Sequence, residues 1–229
     1  MVIGNGLIAT AFKEFENDDR FVFFCSGVSN SLCREQNEFD RETRLVEKAL
    51  DENKEKEIIY FSTTSVEDPS MKDSLYVAHK LAIEQLIQNT ARHYCIFRLS
   101  NVVGKSSNQH TILNFLFNNI NTGRPFELWK NSSRNFIDVA DVVIIVKELL
   151  RREMDHNMTI NIAHGTSYGV PTIVSIIESY LGKKGNYTIV DKGVSYAIDI
   201  SYWKDIIADQ QRASDSDYIS SLLRKYYPL

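Results

Sequence analysis

Short apolar runs alternate with longer segments of helical spacing, and this alternation limits the chain to a small set of architectures. Phe21-Val-Phe-Phe-Cys25, Ile58-Ile-Tyr-Phe61 and Tyr94 to Leu99 read as buried strands. Between them, Glu38–Lys56 carries Phe39, Leu45, Val46, Ala49 and Leu50 at helical intervals, and Leu75–Thr90 carries Leu81, Ile83, Leu86 and Ile87. Strands separated by helices pair in parallel, which predicts an α/β, doubly wound parallel sheet. Met1-Val-Ile3 predicts a first strand, followed by a glycine turn and a helix over Leu7–Phe15. Beyond Gly104 the chain turns polar and asparagine-rich, with a helix near Ile112–Asn121. A strand then enters a helix over Phe136–Leu150. Thr159–Ala163 is a strand, Pro171–Leu181 a helix, Tyr187–Val190 a strand, and Asp199 onward is helical.

Composition narrows the function. A charged content of 24% and a net charge of −4, without basic clusters, argue against a nucleic-acid partner. The mixed charges of Arg34 to Lys56 read as a solvated helix face. No apolar run reaches the roughly 18 residues of a membrane span, and no signal-peptide pattern opens the chain. Cys25, Cys33 and Cys95 lack metal spacing and read as free thiols, which points to a cytoplasmic protein. The histidines form no metal-ligand pattern either.

Three groups of residues carry chemistry. Gly4-Asn5-Gly6-Leu7-Ile8-Ala9 is a glycine turn between strand and helix, of the kind that lets backbone N–H groups approach a pyrophosphate. Ser62-Thr63-Thr64-Ser65 closes a strand, and Tyr76 and Lys80 lie one turn apart at the start of the next helix. A lysine ammonium beside a phenol is expected to lower the tyrosine pKa towards working pH, and a strand-end hydroxyl to share the substrate oxygen. The Tyr-x-x-x-Lys spacing is weak alone. Tyr180 and Lys184 repeat it without a hydroxyl-rich strand and read as structural.

These pieces, in this order, resemble the extended short-chain dehydrogenase/reductase superfamily, whose members modify nucleotide sugars. The matching motifs are Gly4–Ala9, Tyr60–Val66, Tyr76–Lys80, Arg98–Gly104, Arg134–Asp141 and Asn161–Gly165. The resemblance implies a Rossmann-like domain over residues 1–104, rejoined by 135–163, with a small substrate lobe from 105–134 and 164–229. It implies Thr63 (Ser62 in reserve), Tyr76 and Lys80 as catalytic groups. Gly4 through Ala9, Ser26, Gly27 and Lys80 would hold NAD or NADP, and Asn101, His110 and Arg134 a nucleotide-sugar substrate. Asp138 and Asp141 read as caps of the helix that follows them. Relatives often form homodimers through the helices matching 38–56 and 75–90.

Departures from the pattern matter as much. The acidic residue that holds the adenosine ribose is missing: the second strand ends in Cys25-Ser26-Gly27. That strand and the helix after it look like the family's later, nicotinamide-side pair, so roughly 40 residues of the adenosine half are deleted relative to the usual unit. The interval from Thr63 to Tyr76 is also short for this branch. A right-handed crossover would carry the first helix to the opposite sheet face and change the pyrophosphate geometry. Thr64-Ser65 replaces the Asp-Glu of sugar dehydratases, and Ser65 the cysteine of double epimerases. Reduction of a keto-sugar or redox epimerisation, in surface polysaccharide synthesis, is what the resemblance then implies. A non-catalytic sugar-nucleotide-binding or assembly protein on a degenerate fold is the other reading.

Overall fold

The strands that carry the apolar runs are β1 (Val2–Ile3), β2 (Phe21–Phe24), β3 (Glu57–Thr63), β4 (Tyr94–Leu99) and β8 (Met158–Ile162). They form one parallel sheet in the order β1-β2-β3-β4-β8. The structure, a computed structural model, describes all residues except 107, 109, 110, 153–156 and 206–216. Side chains alternate across the strands. Phe21, Phe23, Ile59 and Phe61 face one layer, and Val22, Phe24, Ile58 and Tyr60 the other.

Helices α2 (Gln36–Glu52) and α3 (Leu75–Thr90) cover the second face through Val46, Ala49, Leu50, Ile83 and Ile87. Helices α1 (Leu7–Ala11) and α5 (Val139–Arg151) cover the first. The chain steps across the sheet in a single direction, so the connection through α1 has the opposite hand to those through α2 and α3. The right-handed expectation for α1 is therefore not met. Phe12, fully buried, explains why: its ring packs 5.1 Å from Phe23 and 5.2 Å from Phe61, and the same cluster holds Val142 and Ile145 of α5. Aromatic burial of this size outweighs a preference of hand.

β1 is the edge of the sheet and pairs directly with β2, Val2 opposite Phe23 and Ile3 opposite Phe24. No strand lies beyond it among the described residues. β1 and β2 are neighbours, and their helices leave to opposite faces, which is the geometry that opens a ligand cleft in an open α/β sheet.

There is also a second apolar cluster. Helices α4 (Ile112–Thr122), α6 (Val170–Leu181) and α7 (Tyr218–Tyr226) bury Leu113, Leu116, Ile173, Ile177, Ile219 and Leu223 together. Three short strands missed by sequence reading join it: β5 (Asn101–Val103), β6 (Phe126–Trp129) and β9 (Ser167–Gly169). β5 pairs in parallel with β7 (Ser133–Asp138), β9 pairs antiparallel with β7, and β6 pairs in parallel with β10 (Tyr187–Val190). From Asp199 the backbone makes turns to residue 205, so the expected continuous helix is corrected to α7 alone among the described residues. Those turns seat Trp203 in the sheet core, where its Nε1 donates to the Asn161 carbonyl at 2.6 Å. Asp138 caps α5 by accepting from the Ala140 N–H at 2.8 Å, and α7 is tied down by Lys225 and Tyr226, both on Asp138 at 2.6 Å. Asp141 does not cap; it accepts from the Tyr218 hydroxyl.

Candidate active site

The strand end and the next helix bring three residues together. β3 runs to Thr63, where the hydroxyl accepts from the Ser65 N–H at 3.1 Å and bends the chain into a 3-10 turn over Thr64–Glu67. Ser74 caps α3 by accepting from the Val77 N–H, which places Tyr76 in its first turn and Lys80 one turn on. Thr63 stands close enough to Tyr76 to hold its pKa down. Strand alternation sends the neighbouring Ser62 the other way, to Glu84 at 2.5 Å, within a buried network with Arg98. Of the two candidates, Thr63 is thus the one beside Tyr76.

Lys80 is 2% exposed, and its ammonium is held by the protein itself. Nζ donates to Glu42 Oε1 at 2.9 Å and to the Tyr60 hydroxyl at 3.0 Å, and lies 5.9 Å from the Tyr76 ring centroid. Glu42, on α2, is fully buried and accepts two further bonds at Oε2, from Val28 N–H at 2.7 Å and His79 Nε2 at 3.1 Å. Tyr60 donates to its Oε1 at 2.7 Å. Burial alone would raise the Glu42 carboxyl, but the bonds from His79, Lys80 and Tyr60 outweigh it and hold it at about 2. Burial lowers the Lys80 pKa, and the Glu42 charge offsets part of that.

Two sequence expectations are corrected here. The charged face read over Arg34–Lys56 is not wholly solvated, because Glu42 points into the core. The signal was present: Phe39, Glu42, Val46 and Ala49 follow one helical stripe, with an acid in an apolar register. The second correction is Tyr76. Burial pushes it up to about 12; Thr63 works against that rise and the Glu42 charge adds to it. Lys80 does not depress the phenol because its charge is spent on Glu42.

The loop after β2 completes this floor. Ser26 takes Arg41 of α2 on its carbonyl at 3.1 Å and its hydroxyl at 3.2 Å. A Cβ on Gly27 would stand 2.6 Å from Lys80 Nζ and 2.9 Å from Glu42 Oε1. Both atoms are pinned, so Gly27→Ala should destabilise the fold by about 1–3 kcal/mol through overpacking. A denaturant midpoint equal to that of the unaltered protein would show that the loop yields instead.

Gly4 (φ +129°) packs its turn against the Cys25 carbonyl, 2.7 Å from where a Cβ would lie. Asn5, Gly6 and Leu7 follow, and Gly6 faces open space on its Cβ side. Leu7 packs against Gly104 and Ile8 against the sheet core, while Ala9 is buried. Burial raises the Cys25 thiol to about 12, and no acid stands at this strand end. The turn leaves open space at Gly6, and no carboxylate stands at the end of β2.

The remaining expected residues are spread around the rim. Asn101, on β5, donates to the Asn135 carbonyl at 2.8 Å, and Arg134, on β7, to the Ser133 carbonyl at 2.7 Å. The charge of Arg134 acts on Tyr196, whose hydroxyl reaches the Thr64 carbonyl at 3.5 Å. Tyr196 thereby links the Arg134 strand to the catalytic strand end, and no sequence pattern marked it. His110 lies outside the described residues. Tyr180 and Lys184 have structural partners, the Tyr227 carbonyl and Glu178.

The fold matches solved structures over nearly its whole length. MoeE5 in complex with UDP-glucose and NAD superposes with a TM-score of 0.77 at 15% identity, covering 97% of this chain and 96% of that one. The Bordetella bronchiseptica enzyme WbmG in complex with NAD and UDP gives 0.71 at 15% identity, covering 98% and 79%. A UDP-N-acetylglucosamine 4-epimerase from Methanobrevibacter ruminantium gives 0.69 at 20% identity, covering 94% and 77%. No functionally curated protein matches the chain in sequence. Residues 27–163, the stretch holding Gly27, Thr63, Tyr76, Lys80, Asn101 and Arg134, match the NAD dependent epimerase/dehydratase family, and the chain belongs to that family of the short-chain dehydrogenase/reductase type.

Proposed function

We propose that the chain is a reductase or epimerase of a nucleotide-linked sugar, working with NAD or NADP in surface polysaccharide synthesis. The observation that carries this reading is the placement of Thr63 at the C-terminal end of β3 beside the buried Tyr76, with Lys80 one turn further along α3. Thr63 and Tyr76 would share the reacting sugar oxygen, with Tyr76 moving the proton. Lys80 has three N–H donors; Glu42 and Tyr60 take two, which leaves one for a ribose hydroxyl. Bound nicotinamide would supply hydride acceptance and donation at the sugar carbon.

Thr64 and Ser65 follow Thr63 where dehydration would need a carboxylic acid, so the local residues support hydride transfer without loss of water. Arg134 offers the planar donor set suited to a sugar-nucleotide diphosphate. The lobe built on α4, α6 and α7 would receive the sugar. Structures of the same fold hold UDP-glucose with NAD, or UDP with NAD, which supports this ligand class.

The test is calorimetric titration of the purified protein with NAD, NADH, NADP and NADPH, alone and beside a panel of nucleotide sugars. One nicotinamide should bind in the micromolar range and identify the partner for turnover assays. Absence of binding by all four, with or without sugar nucleotide, would overturn the reading and favour a binding protein that has lost the cofactor.

A further inference from the structure

We propose that Glu42 is a positioning residue that locks Lys80 against Tyr60 and pairs with its charge, and so sets the electrostatic balance felt by Tyr76. This rests on the assignment of Tyr76 as the proton-transferring group.

A carboxylate at zero exposure is costly, and an apolar side chain of similar volume is often as stable there. The bonding of Glu42 is correspondingly specific. Its two oxygens accept from four groups on three separate pieces of chain: Lys80 and His79 of α3, Tyr60 of β3, and the Val28 N–H of the loop after β2. Gly27 has no room for a Cβ because Lys80 Nζ and Glu42 Oε1 are already beside it. The carboxylate therefore fixes at once the height of the lysine, the strand beneath it and the loop beside it.

Electrostatically, the cation that would stabilise a phenolate is matched by an anion 2.9 Å away. A further like charge near a phenol disfavours its ionisation. Tyr76 packs with Val28, Cys33, Phe39 and Val77, has Thr63 and Tyr60 of β3 and Lys80 of its own helix nearby, and feels the charge of Glu42. Arg41 and Glu84 act on Lys80, and His79 is paired with Glu42. Among these groups Lys80 and Glu42 form a buried ion pair, joined by His79, and this pair acts on Tyr76 in addition to the burial that chiefly raises it.

A protonated tyrosine suits ketone reduction. The Tyr76 O–H bond breaks as the alcohol O–H forms. The electron pair of the new C–H bond arrives as hydride from a reduced nicotinamide, which is oxidised, and the phenolate regains its proton from water. Oxidation of a sugar hydroxyl needs the phenolate instead and so calls for alkaline conditions.

The experiment follows the carbon-13 Cζ resonance of Tyr76 with pH in tyrosine-labelled protein, assigned by its loss in Tyr76→Phe. In the unaltered protein Tyr76 should stay protonated up to about 12 or to the alkaline limit of the fold. In Glu42→Gln the midpoint should fall by about one to three units. Tyr60→Phe, which removes a bond to Glu42 but no charge, should leave the midpoint within a few tenths of a unit. An unmoved midpoint in Glu42→Gln, or an equal shift in Tyr60→Phe, would overturn the proposal. If Glu42→Gln does not fold, Lys80→Met reads the same coupling from the other side. It leaves the anion unmatched and should move the midpoint upward, and a midpoint that stays put or falls counts against the proposal. Neither cofactor nor sugar is added, so the outcome is separate from the fate of the nicotinamide reading.

Discussion

Tyr76→Phe should lower turnover by about 10²- to 10⁴-fold, the range associated with loss of a positioned proton donor. The ring is 6% exposed and packs with Val28, Cys33, Phe39 and Val77, so phenylalanine keeps the packing and deletes only the hydroxyl beside Thr63. Turnover of the nucleotide sugar chosen by the binding panel, measured beside nicotinamide affinity, separates the two roles. The expected pattern is a collapse of kcat with nearly unchanged cofactor affinity. Turnover equal to that of the unaltered protein would remove Tyr76 from the mechanism.

The largest effect on stability should come from Lys80→Met. It strands the fully buried Glu42 carboxylate without its cation, and breaking a buried ion pair in this way costs about 3–5 kcal/mol. Urea unfolding at neutral pH measures it. The sign of the pH dependence follows from Glu42, whose carboxyl is held at about 2 in the fold against an ordinary 4.5. Its ionised bonds stabilise the protein fully above pH 4.5, and that contribution is lost as pH falls towards 2. Without Lys80 the carboxyl protonates at higher pH, so the gap between variant and unaltered protein should narrow under acid. A loss below about 1 kcal/mol at neutral pH, the size of an exposed pair, would mean that solvent reaches this site.

Much of the sheet was legible because its strands are apolar on both faces, as in Phe21–Phe24, and sit between helices with a single apolar stripe. The boundaries of α3 and β4 follow directly from those patterns. β5, β6 and β9 were not legible: each has three or four residues, and Asn101, Glu127 and Ser167 break any apolar run. The position of α1 was misjudged for another reason. A rule of hand is a statistical tendency, and the Phe12 stack on Phe23 and Phe61 is a local energy that overrides it. At the site, Thr63, Tyr76 and Lys80 stood out because their spacing is short in sequence. Glu42 acts across intervals that only tertiary packing closes, and its charge was hidden among the many acids and bases of α2.

The shortened sheet also bears on self-association. Ending at β1 leaves a row of backbone N–H and C=O groups facing outward, the kind of border on which a second chain can build. Along that border β1 presents Val2 and Ile3, and the glycine turn closes its C-terminal side at Gly4. A strand adding there would be stopped at the turn, so the same glycine that shapes the start of α1 also limits how far pairing can run towards the C-terminal end of this edge.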